Sequence, residues 1–389
     1  MRFSPLVDRI SGKGSDAWSI HWRARELVRQ GRDVIMLTVG DPDLPPPAIV
    51  IDAAVASLRA GETTYSPIAG HPDVRAAIAA RHQARTGTPT EADDVVVVPG
   101  AQAGLYCAMR CLAGPGDEVI VPEPMYATYE AVAGAAGATV VNVALRPERG
   151  FHLDLDDLER VVTPRTRVLW LNSPHNPTGA VMTRAEVEAT ADFCRRHDLW
   201  LLSDEVYADL AYAGPHVSPR SLPGMAERTV VVSSLSKSHA VPGFRFGWIV
   251  GPPELAKHLT RLVLCMLYGG PPFIQAGALA ALTNECPEVT AMAAAYQRRA
   301  DIMVSLLESV PGLRASRPEG GMFVLLDVRG TGQASDEFAQ GLLERHGVAV
   351  LPSDGFGPSA VGHLRISLAA SDRLIEEAAK RIAAHARSA

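Results

Sequence analysis

The chain has no basic cluster. Lys and Arg number 37 against 43 Asp and Glu, for a formal net charge of −6, and no run of Lys or Arg exceeds what one solvated helix face carries. The electrostatic footprint of a nucleic-acid binder is missing. Long apolar runs are missing too: the longest candidate, 262–268, is too short for a membrane span. The opening MRFSPLVDRI lacks the apolar core of a signal peptide, so a cytoplasmic protein is expected. Cysteine is scarce. Cys107, Cys111, Cys194, Cys265 and Cys286 make an odd five in 389 residues, with neither a disulfide framework nor zinc spacing, and buried reduced thiols are expected. No internal repeat or low-complexity tract appears. What is there is ordinary globular composition, 47% hydrophobic and 21% charged, in a chain long enough for two domains.

The pattern along the chain predicts a helix over 15–30 that Asp16 can cap and Gly31 stops. A strand over 34–39 follows, ending at GDPDLPPP, which fits neither a helix nor a central strand. Helices are expected over 48–60 and 72–86. Short apolar strands then alternate with helices: 95–98, 118–121, 139–143, 167–171, 200–202, 229–232 and 247–250. Such alternation implies an α/β domain with a mostly parallel sheet covered on both faces. Beyond about residue 285 the pattern becomes a smaller α+β module, with helices over 289–309 and 335–346, strands over 322–328, 348–351 and 363–367, and a last helix from 371. The expected organisation is an N-terminal segment, 1–47, packing with a C-terminal small domain, 286–389, around a large domain, 48–285.

Three of the strands end in loops that carry chemistry. VLWL runs into NSPHNPTG, LWLL into SDEVY, and TVVV into SSLSKSHAVPGFRFGW, which delivers Asn176, Asp204 and Lys237 just past the strand ends. In open α/β sheets ligands bind at that edge. An amine, a carboxylate and an amide converging there can hold an aldehyde cofactor with a basic ring nitrogen, and pyridoxal phosphate is that cofactor. A lone lysine after a strand is usually solvated. Here Ser234, Ser236 and Arg245 stand around it, two hydroxyl donors and a guanidinium fork suited to a phosphate. Schiff-base chemistry needs a lysine that can be neutral, which a desolvated site near cations provides. Asp204 can keep a pyridine nitrogen protonated, and Tyr207 can donate to a ring phenolate oxygen. LWLLSDEVY also looks like a Walker B strand, but the Gly-Lys-Ser or Gly-Lys-Thr of a P-loop is absent, which disfavours a nucleotide hydrolase. PGAQAG after 95–98 sets small residues at a helix N-terminus, where a phosphate is favoured. Tyr126 in PEPMYATY can stack on a flat ring, although alone it would read as core. Arg365 in HLRIS would alone read as an ion pair; with Asn176 it can grip an α-carboxylate.

With these residues in hand, the chain resembles the class I/II aminotransferases of the pyridoxal-phosphate-dependent fold type I. VGDPD, YSPIAG, PGAQAG, NSPHNPTG, SDEVY, SLSKSHAVPGFRFGW, GGMF and LRIS occur in the family's order and spacing over nearly the whole chain. The resemblance implies Lys237 as the Schiff-base lysine and Asp204 as the pyridinium partner. It places Asn176 and Tyr207 at the ring oxygen and Tyr126 on the ring, where many relatives carry Trp. It puts Ala101, Gln102, Ser234, Ser236 and Arg245 around the phosphate. Arg365, Asn176 and the Gly40 backbone would bind the substrate carboxylate. It further implies a homodimer, with Tyr65 reaching the partner chain's cofactor phosphate, and cis peptides before Pro124 and Pro177.

Within the family, EPMYATYEAV, HDLWLLSDEVY, VSPRSLPGMAER, SLSKSHA and LCMLYG are similar to bacterial arginine–pyruvate transaminases, which implies arginine as donor and pyruvate as acceptor. Pro242-Gly243-Phe244 departs from the family's frequent Thr-Gly-Trp, and DLPPP from its usual Thr-Pro. An aspartate or broad-specificity transaminase and a β-lyase are the alternatives. A guanidinium needs an acidic or carbonyl-lined pocket end. Asp16 is the candidate, since the N-terminal segment lies over the substrate mouth in relatives.

Overall fold

The computed structural model describes residues 1–10 and 18–388; Asp16 lies outside them. After a two-residue strand β1 (Ile35–Met36), the large sheet is built from β2 (Val95–Val98), β3 (Glu118–Glu123), β4 (Thr139–Ala144), β5 (Thr166–Asn172), β6 (Trp200–Asp204), β7 (Thr229–Ser234) and β8 (Gly247–Val250). Their spatial order is β2-β8-β7-β6-β5-β3-β4. All neighbours run parallel except β8, which is antiparallel to both β2 and β7.

The strands are apolar on both faces because helices cover both. Val96, Val98, Trp170, Leu202, Val230 and Val232 face one core. Their alternates Val95, Val97 and Val231 face a second, and Leu169, Leu171 and Leu201 a third. Successive side chains point to opposite faces, so continuous Val/Leu runs are what a two-sided sheet requires.

The second sheet has β9 (Arg314–Ser316), β10 (Phe323–Asp327), β12 (Leu351–Pro352) and β13 (His363–Ser367), in the order β12-β13-β10-β9 and wholly antiparallel. Its core takes Ile20, Ala24 and Leu27 from the helix Ser19–Arg29, together with residues of the helices Pro287–Leu307, Ser335–His346 and Asp372–Ser388. The N-terminal helix thus packs on C-terminal elements.

Two expected strands differ. The run over 34–39 pairs only at Ile35–Met36, because its parallel partner β11 (Val348–Ala349) is itself two residues long. The chain then leaves the sheet and turns the Thr38 and Gly40 carbonyls toward Arg365 and Lys237. The strand expected over 348–351 splits: β11 serves β1, whereas Leu351–Pro352 pairs with β13. The long helix is Pro287–Leu307, two residues earlier than expected. All five cysteines are free; Cys107 and Cys194 are buried, but Cys265 is exposed. No helix among the described residues is long and apolar enough to cross a membrane.

Candidate active site

Asp204 is the last residue of β6 and Ser234 the last of β7. Asn176 stands four residues beyond β5, and Lys237 three beyond β7. They meet in a cavity of ≈ 210 Å³ that Gly40, Ala101, Gln102, Tyr126, Tyr207, Ser236, Arg245 and Arg365 also line. Every expected site residue within the described chain lies there except Tyr65. That side chain is 85% exposed, its ring 5.1 Å from Tyr268.

Local backbone aims several of these groups. Peptides Glu123–Pro124 and Asn176–Pro177 are cis, as the resemblance implies, and so is Ser173–Pro174, which sequence reasoning missed. The Asn176 amide donates to Asn172 Oδ1 (2.9 Å), and Asn172 Nδ2 donates to the Asp204 carbonyl (3.0 Å). Two loops are thereby tied to each other.

Lys237 is held in a mostly dry setting. Its Nζ donates to the Gly40 carbonyl at 2.5 Å. Burial, with Arg365 and Arg245 adding to it against Asp41, brings its pKa down to about 8. A useful fraction of the amine is then neutral near neutral pH, as a base or nucleophile needs. Asp204 is fully buried, and burial raises its pKa to about 6. Two donors oppose that shift: the Tyr129 hydroxyl on Oδ2 (2.7 Å) and the Val206 N–H on Oδ1 (3.2 Å). Burial also pushes the Tyr207 phenol up, so it stays protonated as a donor.

Arg365 is buried without a carboxylate. Nη1 donates to Asn176 Oδ1 (3.1 Å) and Nη2 to the Thr38 carbonyl (2.9 Å), while Nε has no partner among the described residues. Its guanidinium lies 4.2 Å from the Phe323 ring centre and 5.0 Å from that of Phe356. Burial lowers its pKa to about 10, and the group stays charged at neutral pH. An orphaned donor on a buried cation calls for an anion.

A second anion site lies at the start of the helix Ala101–Leu112. Arg245 adopts the left-handed region (φ 51°) and donates to the carbonyls of Pro242 (2.8 Å) and Pro99 (3.1 Å). Gly100 beside it has φ +86°, a backbone conformation that favours glycine, and it leaves room for the Arg245 guanidinium. With the Ser234 and Ser236 hydroxyls and free helix N–H groups, this corner suits a phosphate. The residues present therefore fit pyridoxal phosphate: an amine, a carboxylate, a phosphate corner and an aromatic, Tyr126.

Sequence reasoning missed Trp18, Tyr129, Asn172 and Phe323, which also line the cavity. Tyr129 stands three residues after Tyr126, a spacing that could have flagged it. Phe323 closes the GGMF motif, which could have flagged it; no local pattern marks Trp18, because tertiary packing alone brings it here.

A family model described as aminotransferase class I and II matches residues 32–382. The chain is 52% identical over 383 residues to the arginine–pyruvate transaminase AruH of Pseudomonas aeruginosa, covering 98% of each. It is 37% identical to the aspartate/prephenate aminotransferase of Thermus thermophilus, covering 95% of this chain and 96% of the relative. Among solved structures, aspartate aminotransferase from Thermus thermophilus with maleate superposes with a TM-score of 0.94 at 36% identity, covering 99% of this chain and all of that one.

Proposed function

The chain belongs to the class I and II aminotransferase family, and on that premise we propose that it moves the amino group of arginine to pyruvate. It is a pyridoxal-phosphate-dependent aminotransferase of fold type I; the donor, the acceptor and the residue roles are our reading.

The charge of the cavity carries the choice of donor. Among the described residues the cationic side chains lining it are Lys237, Arg245 and Arg365. We assign Lys237 to the cofactor aldehyde, Arg245 to its phosphate and Arg365 to the substrate α-carboxylate. None is then left for a second carboxylate, which disfavours aspartate as a specialised donor. The 52% identical relative is named for arginine and pyruvate, which supports the same reading.

When bound, pyridoxal phosphate supplies an aldehyde that takes up the amino group and a protonated ring that accepts electrons from Cα. Asp204 holds that ring proton. Asn176 and Tyr207 donate to the ring oxygen, and Tyr126 covers the ring face. Ala101, Gln102, Ser234 and Ser236 join Arg245 around the phosphate. Arg365, Asn176 and the Gly40 backbone orient the α-carboxylate. Lys237, neutral in part, carries the proton between Cα and the aldehyde carbon. General-base action of this kind contributes ~10²–10⁴-fold.

The proposal includes a cytoplasmic homodimer, with domain borders after residues 47 and 285. Five free cysteines suit a reducing compartment. Tyr65 and Tyr268 form an exposed aromatic pair beside exposed Met266; a partner subunit covering them would bring Tyr65 to its own cofactor phosphate. Asp16 keeps its place in the proposal as an acidic partner for the guanidinium, on sequence grounds. Asp16→Asn should weaken arginine turnover selectively. A panel of amino donors against pyruvate and 2-oxoglutarate tests the whole reading: arginine with pyruvate should lead, and a lead by aspartate with 2-oxoglutarate would overturn it. Elimination products from a cysteine conjugate would mark a lyase instead.

A further inference from the structure

We infer that Trp18 receives the guanidinium of the amino donor, by stacking it on the indole face. The inference rests on arginine being the donor. Trp18 is the one described residue ahead of Val39 that lines the cavity. It stands at the N-cap of the helix Ser19–Arg29 and makes no side-chain capping bond. It belongs to none of the hydrophobic cores that the described residues form. Core packing among them therefore does not account for its place.

Its position is tied to the carboxylate anchor. The Trp18 ring meets His21 edge-on, with centroids 5.9 Å apart at 86°. His21 Nδ1 is 2.7 Å from Thr38 Oγ1, and the Thr38 carbonyl accepts from Arg365 Nη2 at 2.9 Å. One short relay thus connects the indole to the group assigned to the α-carboxylate. A donor gripped at Arg365 extends its side chain within a cavity that this ring borders.

The chemistry on offer there is aromatic. Asp204, the carboxylate in the lining, is already engaged by Tyr129 and Val206. A guanidinium is planar and weakly hydrated, and indole is the best ring for it. The chain uses this pairing elsewhere: Arg25 lies 5.7 Å from the Trp22 ring centre, and Arg365 4.2 Å from that of Phe323. Among the described residues no cation covers Trp18.

The test compares arginine, its neutral isostere citrulline, and alanine as donors to 2-oxobutyrate, a pyruvate homologue that alanine does not regenerate, in the wild type and in Trp18→Leu and Trp18→Phe. In Trp18→Leu the arginine-to-alanine ratio of kcat/KM should fall about ten-fold, mainly through KM, as loss of a cation–π contact predicts. Trp18→Phe should fall between. The wild-type preference for arginine over citrulline should shrink in step. An unchanged ratio in both variants, or equal losses for arginine and alanine in both, would overturn the role of Trp18 while leaving arginine as donor. A wild-type enzyme that does not react with arginine would remove the donor reading and this inference together, before any variant is made.

Discussion

The Tyr129 hydroxyl donates a 2.7 Å hydrogen bond to Asp204 Oδ2 in a fully buried setting. The phenol is fixed by stacking on Trp170, with centroids 4.1 Å apart at 26°. Burial alone would drive the Asp204 carboxyl toward neutrality, and this bond is the leading opposition. Tyr129 therefore helps keep Asp204 an anion that can hold a ring proton. Tyr129→Phe preserves the stack and removes the donor. A hydrogen bond to a charged group is worth enough to move a titration by about one pH unit. A carboxyl that titrates higher would take more of the proton it shares with the ring nitrogen, and the conjugated nitrogen at the aldehyde carbon would become more basic. The pH midpoint of the cofactor's visible band should rise; an unmoved midpoint would show that Tyr129 only packs.

Lys237 makes stability depend on pH in the cofactor-free protein. Its folded pKa is about 8, against about 10.4 in an unfolded chain. Below pH 8 the charged amine is disfavoured in the fold, and the full penalty applies. As pH rises from about 8 toward about 10.4 the unfolded state binds more protons, so stability increases. Relative to Lys237→Met, the wild type should gain up to about 3 kcal/mol between neutral pH and pH 10.5. Denaturant titrations of both proteins across that range measure the gain. A constant difference would mean the amine is not desolvated.

Arg365→Lys should impair every donor alike. The guanidinium is fixed by Asn176 and Thr38 and stacked over Phe323, and lysine reproduces neither the fork nor the stack. Loss of a paired charge-assisted contact should cost about 10²–10³-fold in kcat/KM. A loss confined to one donor would move Arg365 from the carboxylate to the side-chain end.

The sequence marked out much of this. Runs such as Val95–Val98 and Gly247–Val250 are apolar on both faces and sit between tight turns, so their bounds were legible. Lys237, Asp204 and Asn176 were legible for the same reason: each follows such a run. The helices Pro253–Met266 and Pro272–Thr283 drew no explicit assignment, although Pro at their first turns is a start signal. The antiparallel setting of β8 was not visible, because a buried strand carries the same Val/Ile pattern in either direction. Tyr129 and Trp18 were missed for a deeper reason. Asp204 lies 75 residues from Tyr129, and Thr38 lies 17 from His21, the near neighbour of Trp18; spacing sets Tyr129 close to Tyr126 but does not show these longer-range partners.

The central claim is that one site carries the amino group between two half-reactions. The most direct measurement mixes the cofactor-loaded enzyme with arginine alone, then adds pyruvate. The first step should release at most one 2-oxo acid per site, with loss of the visible band and no free ammonia. Pyruvate should then restore the band and yield an equal amount of alanine, because the group waits on the enzyme between the two. Continued 2-oxo acid release with ammonia in the first step, or product only when both substrates are present together, would contradict the account.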